Sequence, residues 1–285
     1  MDFGVVLPTF GHLARVENII RFATAADELG FSSVWAAERL LVPMPPNQSW
    51  SRRDPTAFEP LASLSYVAAL THRVRLGTSV IILPARNPLL LARATASVDV
   101  LSGGRLELGI GIGWMREELD ASGVPFRERG KIADEYIEVL RGAWRGEGHS
   151  GRFVQVPPML FEPKPVKGTI PIWVGGNSDA ALRRVARLGD GWIPMGAIEP
   201  EALEAKAGRI ADMARALGRK ERIGISCNHQ FTKRSLENPQ RCIRIVESYE
   251  DAGATQLMPR FESESAAEIL EMLAMFAQGV IPSFK

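Results

Sequence analysis

The feature that most constrains the fold of this chain is a regular alternation of short apolar runs, rich in β-formers, with longer helical patterns. Eight such pairs follow one another through mostly short connections, and several helical patterns end at a glycine that can form a C-cap, such as Gly30 and Gly189. Eight repeats of strand and helix favour an α/β fold, a closed parallel (β/α)8 TIM barrel with insertions. No linker-like change in composition divides the chain, so we expect one domain over residues 1–285.

The predicted elements follow directly from the hydrophobic periodicity. Strands are predicted at residues 3–7, 33–37, 75–83, 106–112, 170–175, 191–194, 223–230 and 254–259. Helices are predicted at residues 15–30, 58–71, 88–101, 127–145, 178–188, 200–217, 239–252 and 265–277.

The segment 106–117, LELGIGIGWMRE, carries glycines at Gly109, Gly111 and Gly113 within an apolar run. A dinucleotide-binding turn requires G-x-G-x-x-G, and Trp114 occupies the third glycine position, so that fingerprint fails. The competing fold, an open doubly wound sheet, would usually carry this fingerprint and fewer strand–helix units. Two interpretations of the glycines remain: a strand pinched against a crowded neighbour, or a backbone that a ligand approaches closely.

Composition excludes several classes of function. With 34 basic and 33 acidic residues, the net charge of +1 favours neither a nucleic acid nor an anionic membrane as a partner. No apolar run is long enough to span a bilayer, and the N-terminus lacks the charged start of a secretory signal, so a cytoplasmic location is expected. Cys227 and Cys242 lie in periodic segments, and we expect two structural thiols.

In such a barrel, the chemistry lies on the loops that follow the strands. The long connection 38–55, which contains Trp50, Arg52 and Arg53, is therefore expected to overhang the mouth. The proline-rich connection 146–169 precedes a strand and is expected at the opposite, structural face.

Three features of the mouth could carry chemistry. The turn Gly175-Gly176-Asn177-Ser178 opens a helix, where free backbone N–H groups can bind an anion such as phosphate, although doubled glycines also form ordinary tight turns. Glu38 ends a strand as either a catalytic carboxylate or half of an ion pair with Arg39 or another basic loop residue. His12 could transfer a proton or make a loop hydrogen bond. The four histidines fall in separate elements, and no metal site is expected.

Five stretches together resemble, in the same order, the bacterial luciferase-like superfamily of flavin and deazaflavin enzymes. They are LGFSSVWAAE (29–38), RVRLGTSVIILPARNP (73–88), RNPLLLARATASVDVLSGGRLELGIGIGW (86–114), FEPKPVKGTIPIWVGG (161–176) and RRVARLGDGWIP (183–194). The resemblance covers essentially the whole chain. It implies a TIM barrel that binds FMN or coenzyme F420 at its mouth, usually as a homodimer.

The resemblance also assigns roles to particular positions. Thr78, Ser79 and Val80 match a bulge with a cis peptide bond beneath the isoalloxazine ring, and Ser79–Val80 is the expected bond. The remaining assignments concern two loops that contact the cofactor in the family. Gly111, Gly113 and Trp114 match the turn against the ring, which would explain the missing side chains, and Gly175, Gly176 and Asn177 match the phosphate end.

One departure from the family pattern affects the catalytic assignment. Relatives often end the second strand with an acidic residue and a histidine, whereas this chain has Glu38 followed by Arg39. The candidate catalytic residues are therefore Glu38, His12 and Arg39. Either His12 supplies the proton, or Arg39 serves as a binding cation and the proton moves elsewhere.

The choice of cofactor rests on charge. F420 carries a polyanionic tail, and Arg39, Arg52, Arg53 and Arg86 could bind it, which together with the resemblance favours F420 over FMN. With F420 we expect hydride transfer to or from a small organic molecule. With reduced FMN we expect a monooxygenase supplied by a separate cofactor reductase.

Two other classes of function remain as hypotheses. One is a barrel isomerase or lyase acting on a phosphorylated small molecule at the 175–178 turn, which would need a lysine or a carboxylate pair in the mouth. The other is a non-catalytic flavin-binding protein. Met44, Trp50 and Phe261 predict a partly apolar substrate pocket but identify no substrate.

Overall fold

The structure is a computed structural model that describes residues 1–42 and 55–284. Met44, Trp50, Arg52 and Arg53, which the sequence analysis places near the mouth, lie outside the described residues. Among residues 1–42 and 55–284, no helix is long and apolar enough to cross a bilayer.

Parallel strands close into a barrel with eight strand positions, as the sequence predicts. Two short strands share the third position, since both pair with the same neighbour. The strands in chain order are β1 (Asp2–Val6), β2 (Ser33–Ala36), β3 (Arg75–Thr78), β4 (Ile81–Ile82), β5 (Leu106–Gly111), β6 (His149–Ser150), β7 (Gln155–Val156), β8 (Ile172–Gly175), β9 (Gly191–Ile193), β10 (Gly224–Phe231) and β11 (Gln256–Phe261). The barrel order is β1-β2-β3/β4-β5-β8-β9-β10-β11, with β11 pairing back to β1.

The helices surround the barrel, and their ends follow local capping chemistry. The Asn87 side chain accepts hydrogen bonds from the first N–H groups of the third helix, and Gly30 ends the first helix in the left-handed conformation, at φ 84°. They are α1 (Val16–Leu29), α2 (Pro60–Ala68), α3 (Pro88–Leu101), α4 (Arg116–Ala121), α5 (Arg129–Arg145), α6 (Asp179–Leu188), α7 (Pro200–Ala216), α8 (Lys233–Leu236), α9 (Pro239–Asp251) and α10 (Ala266–Gly279).

The structure adds short elements that periodicity could not indicate. Helices α4 and α8 lie in loops after β5 and β10, and each is too short to show a full hydrophobic repeat. Strands β6 and β7 form an antiparallel hairpin in the 146–169 connection. Glu135 of α5 fixes this hairpin by accepting hydrogen bonds from the backbone N–H groups of residues 152–154.

The single strand predicted at residues 75–83 is wrong, because a bulge at Ser79–Val80 divides it into β3 and β4. This bulge also accounts for the glycines of β5. A Cβ at Gly109 would overlap the Thr78 carbonyl oxygen, and one at Gly111 would lie 2.8 Å from a methyl of Val80. Of the two interpretations of these glycines, the structure shows the strand pinched against a crowded neighbour at Gly109 and Gly111, and the cofactor contact expected at Gly111 and Gly113 stays a prediction.

Candidate active site at the barrel mouth

Two tryptophans close the barrel interior and form the floor of the mouth. The rings of Trp35 and Trp173 meet edge to face, with centroids 5.9 Å apart and planes at 83°. Ile193 and Met258 complete this buried cluster, and Val80 packs against it. The floor therefore blocks the barrel interior and leaves the space above it for a ligand.

Glycines on four strands leave room for the floor, among them Gly4 of β1, where a Cβ would lie 2.9 Å from the Trp35 Nε1. A Cβ at Gly77 would overlap the Trp35 ring, and a Cβ at Gly191 would overlap the Trp173 ring. At Gly224 a Cβ would lie 2.7 Å from Trp173. The sequence analysis missed this set, because the contacts join residues that are distant along the chain.

The bulge of the third strand position lies directly above the floor. The Ser79–Val80 peptide bond is cis, which confirms the prediction. The Val80 methyl groups pack against Gly111 and Gly175, so these glycines accommodate the bulge. Thr78 is fully buried and its hydroxyl donates to the Gly109 carbonyl at 2.7 Å, so its side chain belongs to the barrel wall and is turned away from the mouth.

A cavity of about 400 Å³ opens beside this bulge, between the loop after β1 and the end of β11. His12 lines it, as predicted for a mouth residue, and the His12 Nε2 lies 3.3 Å from the Glu264 carbonyl oxygen. Further lining residues are Leu7, Thr9, Phe10, Ala37, Ser79, Arg260 and Phe261. A second cavity of about 490 Å³ lies between α5, α6 and α7 on the outer surface, away from the strand ends.

Two polar side chains at the strand ends were absent from the predicted site. Arg260 of β11 lines the mouth cavity. Asn228 of β10 donates to the Gly196 carbonyl at 3.1 Å in the loop after β9. A signal was present for Asn228, which lies between Ser226 and Gln230 on one face of β10. It was weaker for Arg260, which shares the face of Gln256 but lies beyond the strand predicted at 254–259.

Glu38 lies in a structural network. Its side chain is 1% exposed and accepts hydrogen bonds from the Ile82 N–H at 2.5 Å and from the Arg86 guanidinium, Nε at 2.9 Å. Arg86 also pairs with Glu59 at 2.7 Å. Burial lowers the pKa of Arg86, but the hydrogen bonds and charges of Glu38 and Glu59 outweigh it and raise that pKa. The ion-pair alternative for Glu38 is thus the one observed, and its partner is Arg86 rather than Arg39.

Arg39 is also engaged by the protein. It pairs with the buried Glu118 of α4 at 2.8 Å, and its guanidinium lies 5.1 Å from the ring centroid of the exposed Trp114. Glu118 additionally accepts the N–H groups of Leu40 and Leu41, at 2.9 and 3.2 Å. This network holds the start of the loop after β2. Arg39 and Arg86, both considered for an anionic tail, therefore already carry carboxylate partners.

The predicted phosphate turn lies at the N-terminus of α6, after β8. The Gly176 N–H donates to the Ile193 carbonyl at 3.1 Å, and the Asn177 side chain bonds both backbone groups of Met195. Within the described residues, the backbone N–H groups of Asn177 and Ser178 make no hydrogen bond. The Lys206 ammonium of α7 lies beside them, 3.3 Å from the Asn177 carbonyl. The turn thus offers two open N–H groups and one cation.

The thiols are unsuited to nucleophilic chemistry. Burial raises the pKa of Cys227 to about 12, and burial also raises the pKa of Cys242. Both are free and buried, in agreement with structural roles. Among residues 1–42 and 55–284, no group of three histidine, cysteine, aspartate or glutamate side chains is placed to hold a metal ion.

Comparison with known proteins identifies the family. The family model of luciferase-like monooxygenases matches residues 1–249. The chain belongs to this family. A related uncharacterised protein of Mycobacterium tuberculosis is 31% identical over 281 residues, which cover 92% of this chain and 94% of the relative. An F420-dependent glucose-6-phosphate dehydrogenase of Amycolatopsis mediterranei is 29% identical over 182 residues, which cover 62% of this luciferase-like chain and 52% of the relative.

Solved structures of the same fold come from both cofactor classes. An F420-dependent secondary alcohol dehydrogenase, in complex with an F420–acetone adduct, superposes with a TM-score of 0.83 at 15% identity and covers 100% of this chain and 99% of its own. The oxygenating constituent of 3,6-diketocamphane monooxygenase from Pseudomonas putida, in complex with FMN, gives 0.79 at 16% identity, covering 99% and 98%. These likenesses support the fold, and they leave the cofactor of this luciferase-like protein open.

Proposed function

We propose that this protein is a coenzyme F420-dependent oxidoreductase that transfers a hydride between the deazaflavin and a small organic substrate at the barrel mouth. The observation that carries the proposal is the bulge at Ser79–Val80. It stands above a closed tryptophan floor, beside an open cavity, on the strand ends where barrel enzymes hold their ligands.

The residues present fit such a cofactor. The mouth above the floor is lined by small or apolar groups, among them Ala37, Ser79 and Val80, which suit the face of a flat ring. The anionic handle fits the turn before α6, where the open N–H groups of Asn177 and Ser178 lie beside Lys206. Gly176 allows the chain to turn here, because its φ of 122° is a conformation that favours glycine, and its own N–H is already bonded to the Ile193 carbonyl.

When bound, the deazaflavin supplies the hydride donor or acceptor. The residues of this chain position the reaction. The floor of Trp35 and Trp173 closes the barrel below the ring and excludes water from that side. His12 is the proposed proton donor or acceptor, because it lines the cavity and, among residues 1–42 and 55–284, its ring makes one hydrogen bond, to the Glu264 carbonyl at 3.3 Å.

Roles for Glu38 and Arg39 follow from their networks. Glu38 holds the end of β2 to the bulge through Ile82 and Arg86, so we propose that it positions the ring site. Arg39 fixes the start of the next loop through Glu118. The cofactor contacts predicted for Gly111, Gly113 and Trp114 stay proposals.

The alternative is an FMN-dependent monooxygenase that uses reduced flavin and oxygen, supplied by a separate reductase. The FMN-bound neighbour supports it at the level of fold. F420 is favoured because a relative at 29% identity is named for F420 dependence. The engagement of Arg39 and Arg86 weakens the earlier charge argument for the F420 tail.

Fluorescence titration of the full chain with F420 and, separately, with FMN tests the proposal. We expect F420 to bind with a micromolar or lower dissociation constant and FMN at least tenfold more weakly. Lys206→Ala should weaken F420 binding by about three- to tenfold, since it removes one charge-assisted contact. Lys220→Ala should not, because Lys220 lies in the connection before β10, at the end of the barrel opposite the mouth. Preference for FMN would support the monooxygenase, and binding of neither would refute both.

We also propose a homodimer whose contact includes the outer face of α3. Leu90 and Leu101 are 71% and 72% exposed there, which is unusual for leucines on a helix of a packed barrel. The adjoining segment 159–166 adds Leu160, at 97% exposure, and packs beside α3 through Arg93, whose guanidinium lies 5.3 Å from the Phe161 ring centroid. A second copy of the chain would cover this apolar surface.

A further inference from the structure

We propose that Arg260 binds an anionic group of the substrate, a carboxylate or a phosphate, in the mouth cavity. The inference rests on the proposed function, because it assigns the substrate to the cavity beside the ring site. It narrows the substrate class to small molecules that carry an acidic group next to an apolar body.

The strand places Arg260 at the right height. Side chains of β11 alternate between the two faces of the barrel wall, so Gln256, Met258 and Arg260 share the inner face. Met258 belongs to the tryptophan floor. Arg260 follows two residues later, about 7 Å further along the strand, and lines the cavity together with His12 and Ser79. The guanidinium is therefore directed into the space above the floor.

The charge of Arg260 has no counter-ion among the residues that the structure describes. Within the described part of the chain, its guanidinium makes no hydrogen bond and no ion pair, in contrast to Arg39 and Arg86. Glu262, the next carboxylate along the chain, accepts a hydrogen bond from Gln230 at 2.6 Å. The side chain is open to solvent through the mouth, yet the surrounding wall desolvates it and lowers the pKa of Arg260. An anionic ligand would replace the lost hydrogen bonds to water with paired hydrogen bonds from the guanidinium to its oxygens.

The anion in question differs from the phosphate of the cofactor. The phosphate turn follows β8, and two strands, β9 and β10, separate β8 from β11 in the barrel. Three strand spacings amount to about 14 Å around the wall. Lys206 already provides a cation beside the phosphate turn, so Arg260 is available for a second anion.

The rest of the cavity indicates the body of the substrate. Leu7, Phe10 and Phe261 line it with apolar surface, and the Thr9 side chain is buried and accepts from the Ala37 N–H at 3.3 Å. A flat or branched hydrocarbon body fits these walls, with its acidic group at Arg260 and its reactive carbon toward Ser79.

The test uses calorimetric titration of the full chain, saturated with whichever cofactor it binds and also without cofactor. The probes are benzoate, phenyl phosphate and the neutral isostere benzamide. We expect one or both anions to bind at least tenfold more tightly than benzamide, and Arg260→Met to remove at least tenfold of that affinity. The stronger anion identifies the acidic group. Arg183→Met, at an exposed arginine on α6, is the matched control and should bind as the wild type does.

Cofactor affinity, measured on the same variants, separates the inference from the proposed function. Unchanged cofactor binding with lost benzoate or phenyl phosphate binding supports a substrate subsite. Equal binding of the anions by Arg260→Met, no preference over benzamide in the wild type, or competition between these anions and the cofactor would each overturn the inference. Arg260→Lys, which keeps the charge without the fork, should retain part of the affinity and guards against a folding defect.

Discussion

The indole rings of Trp35 and Trp173 meet edge to face inside the barrel, with their centroids 5.9 Å apart. This pair sets the depth of the mouth, because it fills the interior and is itself accommodated by glycines on the neighbouring strands. The shape of the site thus depends on the glycines, which lack side chains, as well as on the two tryptophan rings.

Gly191→Ala should destabilise the protein by about 1–3 kcal/mol, because the added methyl would overlap the Trp173 ring in a closed cluster. Gly208→Ala is the matched control: Gly208 lies in α7 with open space around its Cβ position, and alanine there should be neutral or stabilise by up to about 1 kcal/mol. Urea unfolding monitored by circular dichroism measures both. Equal stability of the two variants would contradict the packing account of the floor.

Glu38→Gln should cost about 3 kcal/mol of folding stability, since it removes the charge of a buried pair that also binds the Ile82 N–H. Glu59→Gln removes the charge of the other partner of Arg86. Because the Glu59 side chain is 44% exposed, this change should cost less than about 1 kcal/mol of folding stability. The free energies of unfolding of both variants decide the matter. If Glu38→Gln left stability unchanged while it abolished turnover, Glu38 would be a catalytic residue instead of a positioning one.

Asp27 predicts a pH-dependent contribution to stability. Burial alone would raise its pKa, but the backbone N–H groups of Val74, His72 and Arg73 lower it overall. Since the pKa is lower in the folded state, the stabilisation is fully present above about pH 4 and is lost as the pH falls through the folded value.

Asp27→Asn should therefore cost about 1–3 kcal/mol at pH 7, and the difference from wild type should shrink below pH 4. The exposed Asp212, paired with Arg215 in α7, gives the control Asp212→Asn, with an effect below about 0.5 kcal/mol. Denaturant unfolding at a series of pH values provides the comparison. A difference that is constant with pH would show that the charge of Asp27 contributes nothing.

Leu90→Glu on α3 should shift a dimer toward monomer, because it places a charge in the proposed apolar contact. Analytical ultracentrifugation over a range of concentrations gives the association constant, and we expect it to fall at least tenfold. Leu217→Glu, at a leucine after α7 that is 58% exposed, should leave the association constant unchanged. A wild-type protein that sediments as a monomer at all concentrations would rule out the dimer.

Much of the architecture could be predicted from local pattern. The eight strand–helix units follow from hydrophobic periodicity, and the barrel then places the strand ends at one face. The cis bond at Ser79–Val80 came from resemblance, since nothing in the local residue types requires it. The same resemblance placed the bulge at residues 78–80, whereas periodicity alone predicted one continuous strand over residues 75–83.

The site was harder to predict because its contacts are non-local. Glu38 pairs with Arg86, which is 48 residues away in the sequence, and Arg39 pairs with Glu118, which is 79 residues away. Periodicity alone carries no information on such pairings. Arg260 lies one residue beyond the strand predicted at 254–259, so both its place on the inner face and its lack of a partner among the described residues required the structure.

The central claim is that a deazaflavin ring lies in the mouth against the bulge, with its anionic handle at the start of α6. A crystal structure of the full chain, soaked with F420 well above the measured dissociation constant, tests it most directly. We predict the ring in contact with Ser79 and Val80 above Trp35 and Trp173, and the phosphate bonded to the N–H groups of Asn177 and Ser178. Ordered F420 bound elsewhere, with the mouth free of it, would contradict the account.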